Sequence, residues 1–566
     1  MKRDEIGFVL KWAVIIITIT SIPYISGYLF PPAGNKYMGL VHFVDDQNTY
    51  FAWMRQAVEG SLLFVDKFTS EPHAPRLIAA YFMVLGVCSR VLDLPPLLVY
   101  QAARIANSIL LLVSLYVLIS LLVRDKPVRR LAFLFAAIGS GFGWLWLGAQ
   151  AILGIQGGAT VDLREPGAVI FTSIMMSPLY TAAYVLMIFV FIMVVRWQQT
   201  LRLVYMVLAG AGALALALVH PYDYITVCAV TACFAGLMVL RGSISLWGGA
   251  KALLLLVLIS TAPMIYNLHI LTTDPVFHQW NSQMFERLGQ PLLALLGFGI
   301  ISVLAFYRYE GIKNLKERDN RYIFVVAWAL TSCVLILAPS NIQRRLLLGM
   351  QIPLSILAAE AVYSDILPRL AQVGWLARFF GQASVARQQR LTRLLVGALL
   401  LLAIPTNLCV LGGIVYRQKV AAEGCLTTDE VQALKWLETK TGRGEVVLAS
   451  YDIGNYIPRV SGNSTFIGYY HLTANYVKKV ARMNQFFKPE ANRDERMAFL
   501  REYNIRYIYI GEREKRLGQY AYEATSAGAE PRGMAFKGGP QVDLSEEPYL
   551  KTVFTNNTVT LFAVND

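Results

Sequence analysis

Charge is scarce in this chain: Asp, Glu, Lys and Arg make up only 16% of 566 residues, while 56% are hydrophobic. The few charges sit in short intervals between long apolar runs, which excludes an ordinary water-soluble enzyme and predicts a polytopic membrane protein. Cysteine is equally thin. Of six, Cys88, Cys228, Cys233, Cys333 and Cys409 lie in or beside apolar segments and only Cys425 in a polar region, so neither a disulfide framework nor a metal-binding spacing follows. The first apolar run, 8–29, lacks a small-residue cleavage site and is too long for a signal h-region, which predicts a retained anchor. No nucleotide fingerprint joins a strand to a helix. Gly139-Ser140-Gly141-Phe142-Gly143-Trp144 imitates a phosphate loop, but it lies inside an apolar run, where close helix packing accounts for the glycines. The net charge of +14 does not imply nucleic acid either, because Lys and Arg gather at the ends of apolar runs.

What is present is a series of apolar runs long enough to cross a bilayer: 8–29, 98–123, 131–154, 174–195, 203–220, 224–240, 252–271, 291–307, 322–338, 346–363 and 394–416, eleven in all. The segment 76–92 is ambiguous, being short and followed by the breaker Asp93-Leu94-Pro95-Pro96. With that segment lying on the outer face, the basic clusters all fall on one side: Lys2, Arg3 and Lys11; Arg124 to Arg130; Arg196 and Arg202; Arg241 and Lys251; Arg308 to Arg321; and Arg369 to Arg393. The positive-inside rule then places the amino terminus in the cytoplasm and everything after residue 416 outside. On this topology all six histidines map to the outer face or to outer helix ends.

The expected organisation is therefore a transmembrane domain over 1–416, with an acidic first outer loop at 30–97, and an extracytoplasmic α/β domain over 417–566. In the latter, Thr427-Thr428-Asp429-Glu430 caps a helix running to about Lys440, and Glu445 to Ala449 reads as a buried strand. Helices near 472–487 and 492–503 precede a strand at Tyr507 to Ile510, and Leu550 to Phe554 with Val559 to Val564 reads as a hairpin.

Chemistry points to the outer side. Asp45 and Asp46 open an amphipathic helix over Gln47 to Gly60, where the helix dipole favours ionised carboxylates. Such acids can take a proton from an acceptor hydroxyl or bind a divalent metal; simple helix capping competes, although one acid is enough for a cap. Glu71, His73 and Arg76 close the same loop and either line a polar pocket or form an interfacial turn. Asp162, Arg164 and Glu165 lie in the second outer loop, as a further metal or phosphate contact or as solvated charge. His220-Pro221-Tyr222-Asp223 joins two apolar runs with almost no linker, holding ionisable groups at the membrane edge, where such groups usually have partners. Arg344 and Arg345 break the positive-inside pattern. Two guanidiniums at an outer interface suit a phosphate delivered from the bilayer, with ordinary lipid headgroups as the competing ligand.

An acidic first outer loop carrying Asp45-Asp46, an interfacial helix before the second span, outer Arg344-Arg345 near the late spans and a soluble outer carboxyl domain together resemble the GT-C superfamily of membrane glycosyltransferases. The resemblance implies an enzyme that moves a sugar, hexosyl or pentosyl, from a polyprenyl-phosphate donor to a glycan, lipid or protein acceptor on the extracytoplasmic face of a cell or inner membrane. In that superfamily the first-loop acid acts as general base or as ligand to a divalent ion such as Mg or Mn, and both roles stay open for Asp45 and Asp46. The outer domain lacks the Trp-Trp-Asp signature of oligosaccharyltransferases. The implied reaction is inverting, with an aspartate deprotonating the acceptor while Arg344 and Arg345 hold the phosphate. A lipid or solute transporter would be expected to show internal repeats and mid-membrane charges, which are not evident. A non-catalytic assembly subunit would tolerate loss of the acids.

Overall fold

The computed structural model describes residues 2–155, 157–283, 291–309, 318–372, 385–522, 534–536 and 540–565. Each of the eleven apolar runs is helical, but not all are single full-length crossings. Seven helices are long and apolar enough to cross a membrane: Arg3–Leu29, Pro96–Leu122, Pro178–Thr200, Pro221–Leu240, Asn320–Leu337, Gln343–Leu370 and Gln389–Val420. Two further runs are broken, Lys126–Ile138 with Gly143–Leu153 by 46° and Leu246–Ser260 with Ala262–Thr273 by 52°. Against the expected eleven, the described residues hold seven helices that meet this length and hydropathy, or nine if each bent pair is one span. The two runs left over are the short helices Val204–Val219 and Gly299–Arg308. At 1.5 Å per residue, a 16-residue helix rises about 24 Å, short of the roughly 30 Å hydrocarbon core. Ala80–Leu92, in the ambiguous segment, has 13 residues and rises about 20 Å. The apolar content makes the chain an integral membrane protein.

Two compact units divide the chain. The first joins 1–23, 101–266 and 285–415. Its most enclosed span is Gln343–Leu370, with 89% of the apolar window buried. Gln351 fastens this interior: its side-chain amide donates to the carbonyls of Phe135 and Gly139 and accepts from Ile170 N–H. The bend after Ile138 follows from a close backbone approach. A Cβ on Gly141 would lie 2.2 Å from the carbonyl carbon of Gly297, so only glycine fits there.

The second unit joins 24–100, 267–284 and 416–566. A short antiparallel pair, β1 (Asn35–Tyr37) with β2 (Cys425–Thr427), ties the first loop to the carboxyl-terminal region. A five-stranded sheet follows, from β3 (Val446–Leu448), β4 (Ser464–Thr465), β5 (Ile505–Ile510), β8 (Leu550–Thr555) and β9 (Thr560–Val564), in the order β4-β3-β5-β9-β8. A separate pair, β6 (Tyr520–Tyr522) and β7 (Met534–Phe536), completes the strands described. β3 runs parallel to β4 and β5, and β9 pairs antiparallel with both β5 and β8. The helix Thr428–Lys440 starts with a capping box between Thr427 and Glu430. Tyr476–Phe486 and Arg493–Glu502 pack with β5 around Phe466, Phe486, Phe499 and Ile508.

Candidate functional site

The acidic pair rests on an unusual start to the helix Val44–Val58. His42 and Phe43 both take positive φ, 51° and 43°, a conformation that costs non-glycine residues energy. Gln47 holds that turn: its side-chain amide donates to the carbonyls of Val41 and His42 and accepts from Val41 N–H. The helix has no side-chain cap, so capping does not account for Asp45 and Asp46. Each carboxylate instead accepts a hydroxyl from the carboxyl-terminal region of the same unit. Tyr451 donates to Asp45 Oδ2 at 2.6 Å, and Tyr469 donates to Asp46 Oδ1 at 2.7 Å.

Both acids are half-buried. Burial pushes the Asp45 carboxyl up to about 6; the Tyr451 hydrogen bond works against this and the charge of Asp46 adds to it. Asp45 is therefore ionised at neutral pH yet more basic than an ordinary aspartate. Around the pair stand aromatics in edge-on or tilted contact: Tyr451 against Tyr476, Tyr469 against His471, and Tyr470 against both His471 and Tyr476. Arg459 clamps the acidic helix, donating to Asn48 Oδ1 at 3.1 Å and to the Met38 carbonyl at 2.6 Å, over the Phe51 ring at 4.4 Å. Burial pushes Arg459 down to about 10, still charged at neutral pH.

The other first-loop candidates do not converge on the acids but take separate partners. Glu71 accepts from Lys479 Nζ at 2.6 Å, and Lys479, 1% exposed, also bonds Ser70 and Thr69. His73 uses both ring nitrogens on backbone: Nε2 accepts from Asp66 N–H at 2.9 Å, which leaves Nδ1 the donor to the Glu71 carbonyl. Arg76 pairs with the buried Asp274 at 3.0 Å. Asp162 closes the broken span of the first unit, accepting from Gly141 N–H and Gly143 N–H at 2.9 and 3.2 Å, and burial raises its pKa. The glycine stretch that imitates a phosphate loop thus has two of its donors taken by Asp162.

Also in the first unit, Arg344 Nη1 lies 2.9 Å from Glu165 Oε1, and Arg164 lies 3.6 Å from the same oxygen. Arg345 stands 5.8 Å over the Tyr222 ring, and its charge reaches Asp223. His220 Nδ1 is 2.8 Å from Asp223 Oδ2. Arg345, His220 and Asp223 are therefore brought together, as are Arg344, Glu165 and Arg164.

Among the described residues no group of three or more His, Cys, Asp or Glu could hold a metal. Asp45 and Asp46 supply two carboxylates and no third protein ligand, so the residues do not fit a metal held by protein alone. Residues that sequence reasoning passed over are Tyr451, Tyr469, Arg459 and Lys479. The run Tyr469-Tyr470-His471 was the available signal, three hydrogen-bonding rings in succession.

No protein-family model matches the chain, and no curated protein matches it by sequence. Solved structures do. The oligosaccharyltransferase of Archaeoglobus fulgidus in complex with Zn and sulfate aligns at a TM-score of 0.54 and 14% identity, over 88% of this chain and 67% of that one. The archaeal oligosaccharyltransferase AglB from the same organism, in complex with an inhibitory peptide and a dolichol-phosphate, aligns at 0.53 and 13%, over 90% and 70%. The apo form aligns at 0.52 and 12%, over 88% and 69%. At such identities the likeness is one of fold, and it extends across most of both chains. The chain shares the fold of these archaeal oligosaccharyltransferases.

Proposed function

We propose that this protein is an inverting glycosyltransferase that moves a sugar from a polyprenyl-phosphate-linked donor to an acceptor hydroxyl on the extracytoplasmic face of the membrane. The observation that carries the reading is the acidic pair in the first turn of a helix with no side-chain cap: two adjacent carboxylates just after the strained His42–Phe43 turn, each held by a tyrosine hydroxyl. A carboxylate near pH 6 is well matched to remove a proton at neutral pH. Asp45 is the general base, and Asp46 supplies the charge beside it that helps keep Asp45 basic.

Arg344 and Arg345 hold the donor phosphate, whose negative charge grows as the bond to the anomeric carbon breaks. A dolichol-phosphate bound to a protein of the same fold supports a lipid phosphate as the donor class. The acceptor oxygen attacks the anomeric carbon, its proton passes to Asp45, and the electron pair of the breaking bond leaves with the polyprenyl phosphate. With the amino terminus cytoplasmic and the sheet on the other side, the sugar is delivered on the extracytoplasmic face without a soluble nucleotide donor.

The test is sugar transfer from radiolabelled polyprenyl-phosphate hexose and pentose in proteoliposomes. Arg344→Ala and Arg345→Ala are expected to raise the donor KM about 10- to 100-fold, as loss of a charge-assisted phosphate contact worth roughly 1.5–3 kcal/mol requires. Intact donor crossing the bilayer with no polyprenyl phosphate released would assign a transporter instead.

A further inference from the structure

His220 sits between the end of the helix Val204–Val219 and the start of Pro221–Leu240, and Pro221 removes one backbone donor from that junction. The imidazole is fixed there by Asp223, whose Oδ2 lies 2.8 Å from Nδ1. Asp223 is 0% exposed, and its second oxygen, Oδ1, has no hydrogen-bond partner. A carboxylate so enclosed needs a cation beside it, and an imidazole that becomes imidazolium answers that need. The Nδ1–H···Oδ2 bond selects the tautomer and leaves Nε2, on the other side of the ring, with no bond to any described residue.

The surroundings fit an anion next to Nε2. Tyr222 and Tyr180 flank the imidazole at 5.5 and 6.0 Å between ring centroids, and Arg345 lies over Tyr222. Tyr184, on the helix Pro178–Thr200, donates its hydroxyl to the Gly167 carbonyl and lies within electrostatic reach of Asp223, and Glu165 is matched by Arg344. The charged and titratable groups on every side are thus Asp223, Arg345, Tyr180, Tyr184 and Tyr222, with the Arg344–Glu165 pair beyond. Among the described residues, the one acid shown in contact with the ring is the one that orients it.

We propose that His220 is the proton donor to the phosphate leaving group and Asp223 its positioning residue, an assignment that rests on Arg344 and Arg345 holding the donor phosphate. The step balances. As the bond from the anomeric carbon to the phosphate oxygen breaks, the electron pair stays on that oxygen and converts a singly charged phosphodiester into a doubly charged monoester. The imidazolium passes its Nε2 proton to that monoester, whose second pKa is about 6, and becomes neutral imidazole. The acceptor proton has meanwhile gone to the aspartate base. Exchange with water restores both groups.

The experiment is the pH profile of kcat/KM for transfer from a radiolabelled polyprenyl-phosphate sugar, measured for the wild type, His220→Asn, His220→Gln, Asp223→Asn and Arg345→Ala. The wild type is expected to lose activity on the alkaline side as His220 deprotonates. Both His220 variants are expected to lose that limb and to fall about 100-fold at neutral pH. Asp223→Asn moves the limb to lower pH, because the charge that stabilises the imidazolium is gone. A wild-type profile with no alkaline limb overturns the proposal without any variant. So does a limb that persists in folded His220→Asn or His220→Gln, and if Arg345→Ala still raises the donor KM, the phosphate reading survives. An Arg345→Ala enzyme with unchanged donor KM defeats that reading instead.

Discussion

Asp45 is distinguished from Asp46 by its environment. Burial and the neighbouring charge make it basic, and the Tyr451 hydroxyl tempers the effect by stabilising the ionised form. The acid limb of the wild-type profile, where the rate rises with pH, should therefore lie at about 6, below the alkaline limb assigned to His220. Removing the hydroxyl with Tyr451→Phe takes away a bond that favours the carboxylate, so the acid limb should move to higher pH while the plateau rate changes little. A pH–rate profile decides it, and a limb at unchanged pH would show that Asp45 is not the titrating base. The acids themselves were legible in the sequence because two adjoining carboxylates in an apolar-flanked loop exceed what a cap needs. Their tyrosine partners were not, since Tyr451 and Tyr469 lie some four hundred residues away and nothing local marks a hydroxyl that reaches a distant carboxylate.

At the scale of elements, the helix Tyr451–Val460 carries Tyr451, and its packing sets that hydroxyl. A Cβ on Gly454 would lie 1.9 Å from the Ile467 carbonyl oxygen, two residues before Tyr469. Gly454→Ala must push the two segments apart, so it should cost about 1–3 kcal/mol of stability and lower transfer as both tyrosines shift. Thermal unfolding in detergent, alongside the activity assay, checks both effects.

Asp66 makes a second test. It is 3% exposed, burial pushes its pKa up to about 7, and Oδ2 has no partner. A folded-state value above the unfolded one means stability that is present below about pH 4 and lost as pH rises through 7. Asp66→Asn keeps the oxygen that accepts from Phe68 N–H and removes the buried charge. It should stabilise the protein at pH 8 by roughly 2–4 kcal/mol, at pH 5 by about 1–2 kcal/mol, and hardly at all below about pH 4.

The helices and strands of the carboxyl-terminal region were largely readable, because the Thr427–Glu430 box and the period-two runs at Tyr507 and Leu550 are local signals. The breaks in the spans were not. Hydropathy counts apolar residues, whereas the 46° bend depends on Gly141 meeting the backbone of Gly297.

For the whole molecule, the first loop and the sheet belong to one compact unit although they lie at opposite ends of the sequence, joined through β1 and β2. That arrangement lets the carboxyl-terminal region position residues of the acidic loop, which a contiguous division of the chain did not suggest. The proposed orientation puts this unit outside. In a cysteine-free background, Glu495→Cys on an exposed helix position is expected to react with a membrane-impermeant maleimide in intact cells. Labelling only after lysis would reverse the topology.

The central claim is that the two aspartates perform the transfer. Its most direct measurement is turnover of a radiolabelled polyprenyl-phosphate sugar by purified wild type, Asp45→Asn, Asp46→Asn and the double variant, with donor binding measured in parallel. The account predicts that donor affinity holds while Asp45→Asn lowers kcat by about 100-fold or more and the double variant is inactive. Wild-type turnover in the double variant would contradict it.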